Sequence, residues 1–129
     1  MGMKRISSAA IGIAVALLSA PHPASAEVLQ FNCTYSKVYN VDTKELEDVK
    51  DLKLQFSVDT ITDKAVLVGN QGVKDVVFSS GSDGASFVEP LLTGAVQTTT
   101  ISKSGVSVHS RHTLIFGELV PSQYYGSCR

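Results

Sequence analysis

Thiols, imidazoles and clustered positive charge are all scarce in this 129-residue chain, and each scarcity removes a class of chemistry. There are two cysteines, Cys33 and Cys128, and three histidines, of which only His109 and His112 lie beyond residue 26. On a strand an odd separation sends those two imidazoles to opposite faces, so they cannot chelate one ion together, and no metal or other cofactor is expected. The cations of the later chain are dispersed from Lys37 to Arg129 with no basic cluster to neutralise a phosphate backbone, which argues against nucleic acid. Gly-x-Ser-x-Gly, a phosphate-binding loop, a dinucleotide fingerprint and a calcium loop are all missing. No run after residue 26 is longer or more apolar than Ala9–Leu18, itself about half of the roughly 20 residues that a membrane-crossing helix needs.

That early run gives residues 1–26 the form of a secretory signal peptide. Lys4 and Arg5 stand before it, and Ala24-Ser25-Ala26 follows as a small-residue cleavage site. Cys33 stands too far past Ala26 for lipid attachment at a mature N-terminus. Residues 27–129 then form a single domain of ordinary size, expected in the periplasm or secreted, with no membrane insertion once the leader is gone. The whole chain carries a formal net charge of −1, and the leader removes two positive charges and no acid, leaving about −3.

In an oxidising compartment two cysteines at opposite ends of a domain read as one disulfide, Cys33 to Cys128. Local patterning supports the pairing. Leu29, Phe31, Cys33 and Tyr35 alternate with more polar neighbours, and Val120, Tyr124 and Cys128 share one parity, so both sulfurs belong to inward-facing rows.

The cleanest alternation is Leu52, Leu54, Phe56 and Val58 against Asp51, Lys53, Gln55 and Ser57, a half-buried strand. Residues 64–70, 73–79, 85–92, 96–103 and 106–113 are rich in Val, Thr, Ile or Phe and also read as strands. Turn formers separate them, among them Gly69-Asn70-Gln71-Gly72 and Gly81-Ser82-Asp83-Gly84. The predicted fold is all-β: an antiparallel meander of about eight strands, closed by the disulfide into an up-and-down barrel or a flattened sandwich. Between the first two strands, Asp42-x-x-Glu45 resembles a capping box and predicts one helical turn or an acidic loop over residues 40–50.

His109-Ser110-Arg111-His112 is the densest polar cluster. If Val106 and Val108 face the core, then His112 ends a buried row while His109 and Arg111 look outward. There the planar guanidinium would suit a carboxylate or phosphate. Tyr125, on the outward parity, and Ser82 and Asp83 in a turn complete the expected ligand or partner contacts. Asp75 and Glu89 alternate with apolar residues, but a register change or an edge strand is the simpler account and leaves both at the surface.

Phe31-Asn32-Cys33, the segment from Thr99 through Gly105 to His109, and Tyr124-Tyr125-Gly126-Ser127-Cys128 together resemble small, uncharacterised periplasmic proteins of alphaproteobacteria. That resemblance implies an address and a disulfide, and no activity. The layout is also similar to periplasmic inhibitors of c-type lysozyme, eight-stranded barrels that insert a Ser-Gly loop and a Lys-Gly loop into the enzyme cleft. Ser80-Gly81-Ser82-Asp83 matches the first loop loosely, and Thr93-Gly94 stands where the second would fall.

The function expected from these readings is non-enzymatic binding by a monomer or homodimer. The bound species is a small ligand in the barrel mouth or an extracytoplasmic protein. The alternatives are lysozyme inhibition and a small hydrolase using His109 or His112.

Overall fold

The structure, a computed structural model, describes residues 27–69 and 72–129. The leader reading therefore falls outside the described residues, as do Asn70 and Gln71 of one expected turn. Eight strands follow one another: β1 (Val28–Asn40), β2 (Glu45–Asp59), β3 (Ala65–Gly69), β4 (Gly72–Ser80), β5 (Gly84–Pro90), β6 (Val96–Ser102), β7 (Val106–Ile115) and β8 (Glu118–Cys128). Each pairs antiparallel with the next, and β8 returns to β1, so the sheet closes into an up-and-down barrel. Among the described residues all regular structure is β, and no helix is long and apolar enough to cross a membrane.

Closure follows from side-chain parity. Cys33 and Cys128 face each other directly across β1 and β8 and form a disulfide. Beside them the backbones of Asn32 and Arg129 exchange two hydrogen bonds, of 2.8 and 3.0 Å. This terminal end of the barrel also holds the β2–β3, β4–β5 and β6–β7 turns, because the strands of a meander reverse at alternate ends. The other four connections lie at the opposite end, called the mouth below.

The core is aromatic. Phe56 and Phe87 stack at 4.2 Å, Phe31 meets Phe87 edge-on at 5.7 Å, and Val58, Ala65, Leu67, Val76 and Ile101 fill the space around them. Each large side chain removed from water in this way contributes on the order of 2 kcal/mol. Leu29 and Val120 keep the expected parity but lie near strand ends and remain exposed.

Residues 40–50 depart from the expected helical turn or loop. They continue β1 and β2 as a hairpin in which Asn40 pairs with Glu45. Asn40, not Asp42, organises its tip: Asn40 Oδ1 accepts from the amides of Asp42 (2.9 Å) and Thr43 (3.3 Å), and the chain leaves through Lys44 at φ 60°. An isolated helical turn must fix several dihedrals for one hydrogen bond, whereas the extended chain gains a ladder with β1. The same turn recurs at the other end of β2. Asp59 Oδ1 accepts from Ile61 and Thr62, and Asp63 takes φ 61°. Asx side chains mimic a backbone turn and so stabilise both reversals.

Candidate functional site

The mouth holds the charged interior. In β7 the inner face is Ser107, His109 and Arg111, and the outer face is Val106, Val108, Ser110 and His112, the reverse of the sequence expectation. Val106 is 61% exposed and His109 is 1% exposed, while His112 lies at the surface. Cross-strand partners impose this parity. His109 is opposite Thr99 on β6 and Tyr124 on β8, and Thr99 is opposite Phe87 on β5, so all four share the core side. Valine favours a strand on either face of the pleat and does not mark the interior.

Polar residues line this stretch because a phenol sits among them. Tyr35, fully buried, projects from β1 and needs a partner for its hydroxyl. Ser107 Oγ donates to the Thr100 carbonyl at 2.9 Å, so the 2.8 Å contact between Tyr35 and Ser107 has the phenol as donor. Burial raises the Tyr35 pKa.

A parallel chain of donors reaches the mouth. Arg111 Nε donates to His109 Nε2 at 3.1 Å, which requires that nitrogen to carry a lone pair. The proton of the neutral ring is then on Nδ1 and is donated to Thr99 Oγ1 at 2.7 Å. Burial, and secondarily the charge of Arg111, lowers the His109 pKa to about 4. The imidazole therefore remains neutral, with both nitrogens engaged. Arg111 is fixed on a second side by the Tyr124 ring, whose centroid is 5.1 Å from the guanidinium carbon.

Beyond Arg111 the barrel opens on a cavity of about 150 Å³ between β2–β3 and β4–β7. Glu89, Gln97 and Arg111 form a row across three adjacent strands, since Gln97 is the direct partner of both of the others. Lys74 faces them from β4, with Nζ 3.6 Å from Glu89 Oε1. Glu89 is 6% exposed, which corrects the expectation of a surface charge: its parity with Phe87 is genuine, and Lys74 supplies the compensating cation. Asp75 lies on the outer face, exposed as expected. Leu54 and Leu67 form the apolar wall, and at Gly69 and Gly72 an added Cβ would meet nothing within 4 Å among the described residues.

The expected contact residues do not converge. His109 and Arg111 meet inside, whereas Tyr125 is on the outer wall, donating to Gln123 Oε1 at 2.8 Å. Ser82 and Asp83 occupy the β4–β5 turn at the terminal end. Thr93-Gly94 lies in the β5–β6 turn at the mouth, so the two loops likened to an inhibitor's are at opposite ends of the barrel. Sequence reasoning missed Lys74 and Gln97. The available signal was that Lys74 shares parity with Val76 and Phe78.

Among the described residues no group of three or more His, Cys, Asp or Glu side chains is placed to hold a metal ion. No protein-family model, curated protein or solved structure matches this chain.

Proposed function

We propose that this protein is an extracytoplasmic, non-enzymatic binding protein that holds a small ligand in the open mouth of its barrel. One observation carries the reading: Lys74, Glu89 and Arg111 all turn inward around a single cavity. Glu89 loses most of its hydration there, an arrangement that is unfavourable for a purely structural filling of the barrel. Small-ligand sites are typically concave and furnished with a few convergent polar groups, and this mouth sets Lys74, Glu89, Gln97 and Arg111 opposite Leu54 and Leu67.

The non-enzymatic part of the reading is supported by His109, whose ring nitrogens are both occupied and which is held neutral. The extracytoplasmic address is supported by the disulfide together with the leader-like start of the chain.

Backbone amide shifts followed by NMR during titration with a panel of small anions, cations and neutral compounds test the proposal. The expected result is saturable perturbation centred on Lys74, Gln97 and Arg111. Perturbation confined to the outer wall, or none from any compound, rejects it.

A further inference from the structure

We infer that the ligand of this mouth is a short aliphatic monocarboxylate of about six non-hydrogen atoms. Its carboxylate rests on Arg111 and Gln97, and its tail lies against Leu54 and Leu67. The inference depends on the binding function proposed above and specifies its chemistry.

Charge selects an anion. Lys74 and Glu89 compensate each other at 3.6 Å, His109 is neutral, and among the described residues no carboxylate lies within ion-pairing distance of Arg111. One positive charge is left over, which matches a ligand carrying one negative charge.

Geometry selects a carboxylate. Arg111 uses Nε on His109 and one face on Tyr124, so its plane is set before any ligand arrives. Its two terminal amino groups make no side-chain hydrogen bond among the described residues, and they form the planar fork that accepts two oxygens side by side. Gln97 is likewise without a side-chain hydrogen bond among the described residues and stands next to Arg111 in the row, one strand away.

Volume and wall select a short apolar tail. A cavity of about 150 Å³ accommodates roughly six non-hydrogen atoms. Two leucines face the tail, and Gly69 leaves open the space that a side chain would fill. An inorganic oxyanion would leave the leucine wall without a partner.

Calorimetric titration of the mature protein with sodium butyrate, butyramide, n-butylamine and sodium phosphate tests this. Butyrate is expected to bind saturably. Butyramide, of the same shape without charge, should bind about tenfold to a hundredfold more weakly, the usual effect of losing a charge-assisted bidentate contact. Arg111→Gln should weaken butyrate by a similar factor. Gly69→Leu should abolish binding by filling the tail space while leaving every charged group in place, and its Cβ meets no atom of the described residues within 4 Å.

If butyramide, butylamine or phosphate binds as tightly as butyrate, and Gly69→Leu blocks that binding, the carboxylate assignment falls while the mouth remains a binding site. Butyrate binding that survives both Arg111→Gln and Gly69→Leu places the ligand elsewhere and overturns the inference. The absence of binding by all four probes overturns the inference, and the function beneath it falls with it only when the wider NMR panel also leaves Lys74, Gln97 and Arg111 unperturbed.

Discussion

His109 shows how one residue can make the stability of the barrel depend on pH. Its pKa is about 4 in the folded protein, against an ordinary value near 6.5 in an unfolded chain. Above pH 6.5 the ring is neutral in both states and has no effect. Between pH 6.5 and about 4 the unfolded chain takes up the proton and the folded one does not, so stability falls as pH falls, by up to on the order of 3 kcal/mol. Urea midpoints measured from pH 7.5 to 4 should decline for the native protein and decline less for His109→Gln. His112→Gln, at an exposed position, should track the native protein. Equal slopes for the native protein and His109→Gln would mean that the imidazole is not held neutral.

Single elements of the fold are constrained where backbones approach closely. β1 crosses β8 at the Tyr35–Gly126 pair, next to an irregularity in the ladder, and a Cβ on Gly126 would land on the Thr34 carbonyl oxygen and near Tyr35 Cα. Neither is a flexible side-chain end that can move aside. Gly126→Ala should therefore destabilise the protein by about 1 to 3 kcal/mol, the usual range for overpacking. Gly81→Ala, in a turn with open space around it and no left-handed backbone, should change stability by less than about 0.5 kcal/mol. Chemical denaturation of the two variants checks the contrast. A smaller loss at Gly126 than at Gly81 would show that the β1–β8 seam can yield.

For the whole molecule, the disulfide ties β1 to β8 across a sequence separation of 95 residues, beside the seam that closes the barrel. In the chain-entropy account a loop of that length stabilises by on the order of 4 to 5 kcal/mol, comparable to the entire stability of many small domains. The double variant Cys33→Ala, Cys128→Ala should lose most of its stability. Its remaining protection from hydrogen exchange should vanish first along β1 and β8, while β5–β7 persist longest. A variant that matches the native denaturation midpoint would show that hydrogen bonding alone holds the seam.

The sequence by itself determined the class of fold, the approximate strands and the disulfide, because each rests on local pattern. Period-two alternation in β2, turn formers between strands and two cysteines on inward rows are all properties of neighbouring residues. Tertiary structure alone decided which face of β7 is interior, that residues 40–50 extend a hairpin, and that Lys74, Glu89, Gln97 and Arg111 meet. Val106 and Val108 carry the same β propensity on either face, so the orientation of His109 came from its partners Thr99 and Tyr124 on other strands. The mouth likewise depends on register between the successive strands β4 to β7, and a pairing shifted by one residue would send its charges outward. That register is a property of pairs of strands and their turns, and no single strand's own pattern contains it.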